Sequence, residues 1–431
     1  MGGNDPASGG TAAADDLLCR RRRALAASYR LFYDEPVHLV RGDGCWLFDA
    51  DGERYLDAYN NVAVVGHARA EVVDAMYAQA ARLNTHTRYL SEPVVEYAER
   101  LLAHFPAHLA QAIFTCTGSE ANDLACRIAT SWTGRAGFIV TKNAYHGTTT
   151  ATAALSPSLH ADTPASVRTV AAPNPREEGA EAAGRFAADV TAAAERLHAD
   201  GVGFAGLIVD TILSSEGVWA EPRGLLAPAA DAAHAAGGLV IADEVQAGFG
   251  RLGDGMWGFA RHDLRPDLVT LGKPMGNGHP ISGVIGRRDV FDAFGSRERY
   301  FNTFGGNPVS AAVGLAVLDV IERDGLVAHA GATGAHMRAE LTDLASRHPG
   351  IGDVRGSGLF LAVELADPET GAPASERTAR VVNEMRRERV LISATGPSGN
   401  VLKIRPPLVF DAEQSVLLSR ALDDALTATE A

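Results

Sequence analysis

The chain has 431 residues, 46% hydrophobic and 21% charged, which fits a soluble globular protein too long for one hydrophobic core. Its formal net charge of −14 argues against nucleic acid or an anionic membrane as the main partner, and no apolar run is long enough to predict a membrane span. Four scattered cysteines, Cys19, Cys45, Cys116 and Cys126, form no CxxC pair and read as reduced thiols of a cytoplasmic protein.

The start, Met1–Ala14, is rich in Gly, Ala and Asp without an apolar core and is expected to be disordered. Asp16–Tyr33 reads as a basic helix whose run Arg20–Arg23 forms a solvated face in so acidic a chain. Strands are predicted at His38–Val40, Trp46–Asp49 and Arg54–Asp57, with a turn at Asp51-Gly52. From Ala70 strand and helix alternate. Helices are predicted at Val72–Leu83, Val94–Phe105, Ser119–Trp132, Phe186–Ala199 and Pro228–Ala236. Strands are predicted at Ala112–Thr115, Gly137–Thr141, Gly206–Val209, Leu239–Ala242 and Leu268–Leu271. Short apolar runs separated by helices imply an α/β architecture, with a mixed, mostly parallel sheet covered on both faces. Beyond an apolar helix at Pro308–Glu322, a strand at Gly358–Leu365, a helix at Ala379–Arg389 and a strand at Val401–Ile404 form a smaller α+β part. This part is expected to pack with the N-terminal strands.

One compositional fact bears on chemistry. Lys142, Lys273 and Lys403 are the three lysines among 39 Lys and Arg residues. Where Arg serves for nearly every cation, a retained Lys marks a place that needs an amine, because guanidinium stays protonated and is a poor nucleophile. Lys273 follows an apolar strand in Leu271-Gly-Lys273-Pro-Met-Gly-Asn-Gly-His-Pro280, amid glycines that allow close backbone approach. Asp243, in Ile241-Ala-Asp-Glu-Val-Gln246, ends a buried strand, where α/β sheets place ligand contacts. A carboxylate there can pair with a pyridinium nitrogen. Thr117-Gly-Ser-Glu-Ala-Asn122 opens a helix, and its free N–H groups and dipole suit a phosphate. Tyr145-His-Gly147 follows a strand and offers an aromatic face to a ring.

Taken singly, each feature has an ordinary structural explanation. Gly250-Arg-Leu-Gly-Asp-Gly255 fails the dinucleotide fingerprint, since its glycines run GxxGxG. His67, His86, His146 and His279 lack metal-ligand spacing and read as hydrogen-bonded structural histidines, so no metal is expected.

In order and spacing, Gly118-Ser-Glu-Ala-Asn122, Tyr145-His-Gly147, the run Ile241–Arg251, Leu271–Pro280 and Phe301-Asn-Thr-Phe-Gly-Gly-Asn-Pro308 resemble the class-III aminotransferases. The resemblance runs from about Leu31 to the C-terminus. It implies pyridoxal 5′-phosphate (PLP) as cofactor, the type I fold of PLP enzymes, and a homodimer with both sites at the interface. It implies Lys273 as the Schiff-base lysine, Asp243 as partner of the ring nitrogen, Gln246 at the ring hydroxyl, Val245 under the ring and Tyr145 above it. Gly118 and Ser119 would bind the phosphate, with Thr303 arriving from the neighbouring subunit. The division that follows is a disordered start over 1–14, a first segment of the small domain over 15–69, a large PLP-binding domain over 70–309, and the rest of the small domain with its connecting helix over 310–431.

Two stretches depart from the broad class-III pattern. The usual Glu-Pro strand end reads Val209-Asp210-Thr-Ile-Leu-Ser-Ser-Glu-Gly217. The usual Arg that clamps a substrate α-carboxylate aligns with Lys403, a point charge where Arg gives a planar fork. Arg405 lies on the same strand face, two residues along. Asn60-Asn-Val-Ala63, Leu83-Asn-Thr-His-Thr-Arg88, Gly272–Pro280 and Asn400–Pro407 are similar to the ethanolamine-phosphate and phosphohydroxylysine phospho-lyases, a branch that carries Lys at this position. Thr148, where that branch tends to have His, and the acidic Pro175-Arg-Glu-Glu-Gly179 depart from it.

The resulting reading is a PLP-dependent aminotransferase that moves an amino group between a small amine or amino acid and a keto acid. The alternatives are a phospho-lyase eliminating phosphate and ammonia from an amino-alkyl phosphate, and an amino-acid racemase or epimerase. All begin with proton removal by Lys273 at the carbon bearing nitrogen. The residues that discriminate among them are expected around the substrate: Tyr59, Asn60, Asn61, Arg88, Tyr89, Asp210, Lys403 and Arg405.

Overall fold

Along Leu239–Asp243, Leu239 and Ile241 join one buried apolar cluster while Val240 and Ala242 join another, as a strand covered on both faces requires. The computed structural model describes residues 9–160 and 162–430, and in it this strand is central to a seven-stranded sheet. The order is Leu109–Thr115, Ser282–Arg287, Leu268–Leu271, Leu239–Asp243, Phe204–Asp210, Gly137–Thr141 and Val167–Val170. The last five run parallel, and Ser282–Arg287 is antiparallel to both its neighbours.

Helix Gly118–Thr133 covers one face through Ala121, Leu124, Ala125 and Ile128. Helices Ala182–Ala199 and Ala227–Ala235 cover the other through Phe186, Val190, Leu197, Ala229 and Ala233. Each large apolar side chain so buried contributes about 1.5–3 kcal/mol.

The helices and strands predicted from Val72 to Leu271 are each present, with ends shifted by a few residues. Strand Ser282–Arg287 was not predicted, because Gly283 and Gly286 break its apolar run. Both glycines serve packing: a Cβ on Gly283 would lie 2.9 Å from the Ile113 carbonyl oxygen, and one on Gly286 would lie 2.7 Å from Leu268. The long helix Leu326–Arg347 was missed for the same reason. Its Gly331 and Gly334 face the backbone of Gly253 and Gly358, where a Cβ would clash.

Two smaller sheets draw on both ends of the chain. Leu39–Asp43, Trp46–Asp49 and Arg54–Asp57 form an antiparallel meander, which Val390–Leu391 joins in parallel. Ile351–Ser357, Phe360–Leu365, Val401–Ile404 and Ser393–Thr395 make an antiparallel sheet. The protein is therefore α/β, with a mixed large sheet and a smaller α+β part, as expected. The expected disordered start lies outside the described residues over 1–8, and from Gly9 to Ala24 the backbone is helical. That helix ends at Ala24 rather than Tyr33. Tyr33 instead donates its hydroxyl to the Ile392 carbonyl at 3.0 Å, and this contact with the small sheets holds the segment outside the helix.

Candidate active site

The C-terminal ends of the parallel strands meet at one edge of the large sheet, where open α/β sheets collect ligands. Strand register sets Asp210 beside Asp243 and Asp243 beside Thr270, while Lys273 follows just past Leu271. Asp210, Asp243 and Lys273 line one recess together with Gly118, Ser119, Asn122, Tyr145, His146, Gly147, Val245 and Gln246. Every predicted cofactor residue except Thr303 is in this recess.

Within the described residues the Lys273 ammonium has neither a carboxylate partner nor a hydrogen bond. Burial first, and then the Arg405 guanidinium, push its pKa down to about 8, against the pull of Asp243 and Asp210. Such an amine is partly neutral, and so nucleophilic, near neutral pH.

Asp243 is held from three sides. Its Oδ1 accepts the Val245 N–H at 3.0 Å. Its Oδ2 accepts the Asn122 side-chain N–H at 2.9 Å and lies 2.7 Å from His146 Nδ1. About four acceptor sites exist on a carboxylate, so capacity remains for one further donor. His146, read from the sequence as a structural histidine, thus belongs to the site, and its Nε2 is buried without a partner. Asn122 was also missed, although its place one turn into the helix after Gly118-Ser119 was a usable signal.

At the other end of the recess, Thr117 and Glu120 form a capping box: Thr117 Oγ1 accepts the Glu120 N–H at 3.2 Å, and Glu120 Oε2 accepts the Thr117 N–H at 3.0 Å. This leaves the N–H groups of Gly118 and Ser119 without protein partners among the described residues, at the positive end of a 16-residue helix. Glycine keeps the floor open. A Cβ on Gly118 would lie 3.0 Å from Val245, and one on Gly147 would lie 2.6 Å from Ser119 Oγ. One amine, one buried carboxylate, free N–H groups at a helix start and a glycine-lined floor are the set that a phosphorylated pyridine aldehyde needs.

Beside the recess, though not among the residues that line it, stand two basic side chains, Arg405 and Lys403. Arg405 is buried, with its guanidinium 4.6 Å over the Tyr59 ring. Among the described residues Lys403 Nζ donates to Thr395 Oγ1 alone, at 3.4 Å. Neither has a carboxylate ion pair among the described residues. Burial pushes both pKa values down, and for Lys403 the charges of Arg405 and Lys273 push further. Asp210 goes the other way, raised by burial and then by Asp243.

Gln246 uses both ends of its carboxamide: Nε2 donates to Ser214 Oγ at 2.6 Å, and Oε1 accepts from Arg405. Asn61 Nδ2 donates to the Gln246 carbonyl at 3.4 Å. Asn60 serves a local turn, its Oδ1 accepting the Val62 N–H at 2.9 Å. The fully buried Arg251 donates to the carbonyls of Leu359 at 2.9 Å and Pro406 at 2.6 Å, clamping the segment that carries Arg405, which follows strand Val401–Ile404 rather than sharing its face as expected.

Of the residues expected around the substrate, Asp210 lines the recess while Tyr59, Asn60, Asn61, Lys403 and Arg405 do not, and Arg88 and Tyr89, like Thr303, are exposed. Arg88 is exposed, 3.8 Å over the Phe301 ring, Tyr89 stacks on His86 at 5.1 Å, and Thr303 is exposed beside Phe304.

The family profile of class-III aminotransferases matches residues 32–426. The chain belongs to the class-III aminotransferases. This class-III aminotransferase is 37% identical over 425 residues to the alanine–glyoxylate aminotransferase 2-like protein of Drosophila melanogaster, covering 95% of this chain and 86% of that one. It is 35% identical over 437 residues to ethanolamine-phosphate phospho-lyase homolog 1 of Caenorhabditis elegans, covering 96% and 93%. Among solved structures, a phospholyase from Arthrobacter in complex with phosphoethanolamine superposes with a TM-score of 0.93 at 44% identity, covering 96% of this chain and 100% of that one. A Bacillus anthracis aminotransferase superposes at 0.86 with 27% identity, covering 97% and 99%. The expected family, fold and enzyme class are borne out. Among the described residues, no helix is long and apolar enough to cross a membrane.

Proposed function

We propose that this class-III aminotransferase uses PLP to move an amino group between a small amine or amino acid carrying an anionic group and a keto acid. The observation that carries this reading is the pairing, in one recess, of a buried lysine with a lowered pKa and a buried carboxylate held by three donors. Lys273 would hold the cofactor covalently, the Gly118 and Ser119 N–H groups its phosphate, Asp243 its ring nitrogen, with Val245 below the ring, Tyr145 above it and Gln246 at its hydroxyl.

Bound there, PLP supplies an electron-withdrawing ring conjugated to the substrate amine. Asp243 would face the ring nitrogen and favour its protonated form. Lys273 Nζ, lying within the recess and partly neutral, takes the proton from the substrate carbon that bears nitrogen and delivers it elsewhere. Arg405 and Lys403 receive the anionic group, since buried cations without carboxylate partners are costly until an anion joins them.

Elimination of phosphate from an amino-alkyl phosphate is the second reading. It is favoured by Lys403, a point charge where carboxylate recognition prefers a planar fork, and by the pairing of two cations, which matches a dianion. The similarity to the Arthrobacter phospholyase supports it. The test mixes the enzyme with amino donors and amino-alkyl phosphates, with and without a keto acid. Transamination gives a single turnover with donor alone and continued turnover only with keto acid. Continued turnover without keto acid, releasing equal phosphate and ammonia, establishes elimination instead.

The same reading makes the enzyme a cytoplasmic homodimer. Tyr89, Leu90, Phe301 and Phe304 leave apolar surface exposed around Arg88 and Thr303, which a second copy would cover. The free thiols support a reducing compartment.

A further inference from the structure

Ser214 is fully buried in the turn after strand Phe204–Asp210, and its hydroxyl and carbonyl serve two separate chains of hydrogen bonds. Along the first, Arg405 donates to Gln246 Oε1, Gln246 Nε2 donates to Ser214 Oγ at 2.6 Å, and Ser214 Oγ donates to Asp210 Oδ2. Every bond points the same way, from guanidinium to carboxylate, so each polarises the next. Along the second, Lys403 Nζ donates to Thr395 Oγ1 at 3.4 Å, and Thr395 Oγ1 donates to the Ser214 carbonyl at 2.9 Å. The turn itself is pinned by the Ser214 N–H, which donates to Asp210 Oδ2 at 2.9 Å. Lys403, on strand Val401–Ile404, and Arg405, just past its end, neither with a carboxylate ion pair among the described residues, therefore take their positions from one serine.

We propose that Ser214 is the positioning residue of the substrate's anion site: through Gln246 it aims Arg405, through Thr395 it aims Lys403, and so it selects an anionic substrate over a neutral amine of the same length. The inference rests on the reading of Arg405 and Lys403 as receivers of that anionic group. A single residue fixing the separation of two charges matters because an anion must meet both at once, and a small misplacement loses the second contact.

Ser214→Ala cuts the first chain without adding bulk. Thr395→Val cuts the second while keeping its shape, and Thr395→Ser restores the hydroxyl. With the holoenzyme, Ser214→Ala and Thr395→Val should each raise KM for an anionic amino donor about ten-fold more than KM for the matching neutral amine, as loss of a hydrogen bond to a charged group does. Thr395→Ser should return the ratio to that of the wild type. Independently of turnover, calorimetric binding of inorganic phosphate and of acetate to the holoenzyme should weaken in the first two variants and recover in the third. Equal losses for anionic and neutral donors, or anion binding unchanged in both Ser214→Ala and Thr395→Val, overturn the role of Ser214. Failure of the wild type to bind either anion overturns instead the reading of Arg405 and Lys403, and the role of Ser214 with it.

Discussion

A lysine held in a dry recess is costly as an ammonium, and Lys273 shows when that cost falls due. Its folded pKa of about 8 lies below that of a free lysine, so between these values the unfolded chain binds more protons. For cofactor-free protein, the Lys273 contribution to stability is therefore least favourable below about pH 8 and improves as pH rises from there toward the unfolded value of roughly 10.4. The rate of PLP capture should rise with pH around a midpoint near pH 8, because the neutral amine is the nucleophile. Arg405→Gln should move that midpoint upward, since it removes a nearby positive charge. Borohydride trapping followed by peptide mapping should find the cofactor on Lys273 and nowhere in Lys273→Ala. Label on Lys142 or Lys403 would remove Lys273 from its role.

At the level of elements, the start of helix Gly118–Thr133 and the turn after strand Gly137–Thr141 are locked together by a glycine. Gly147 has φ +137°, and a Cβ there would lie 2.6 Å from Ser119 Oγ and 2.7 Å from Ser119 Cα. Gly147→Ala must therefore strain its own backbone and push Ser119 away from the phosphate end of the recess. The expected loss is about 1–3 kcal/mol of stability together with weaker PLP binding, read from denaturant midpoints and a PLP titration. Gly255→Ala is the matched control, with no positive φ and no atom within 4 Å of its added Cβ. Equal behaviour of the two variants would show that the glycine-lined floor has no bearing on the cofactor.

For the whole molecule, the question is what covers the loop carrying Phe301, Thr303 and Phe304. Phe304 is 68% exposed and Leu90 fully so, an expensive arrangement for a free surface. If a second copy covers this patch and delivers Thr303 to the phosphate end of the neighbouring recess, sedimentation should show a dimer. Thr303→Ala should then retain PLP less well while leaving the fold intact. A fully active monomer is the outcome that excludes this assembly.

Much of the site was legible in the sequence because the cofactor's demands are local and specific to residue type. An amine, a strand-end carboxylate and a glycine helix start are each written in a few adjacent letters, and a chain with three lysines leaves few choices for the amine. The unbroken apolar run Leu239, Val240, Ile241 and Ala242 likewise announces a strand covered on both faces. What the tertiary structure decided lies in partners distant along the chain. Asn122 and His146 meet Asp243 across 121 and 97 residues, and Gln246 meets Arg405 across 159. No local pattern encodes such pairs, because the packing of helix, sheet and small domain chooses them. Strand Ser282–Arg287 and helix Leu326–Arg347 were hidden for a related reason: their glycines weaken the local signal, and only close approach to a neighbouring backbone explains why they are there.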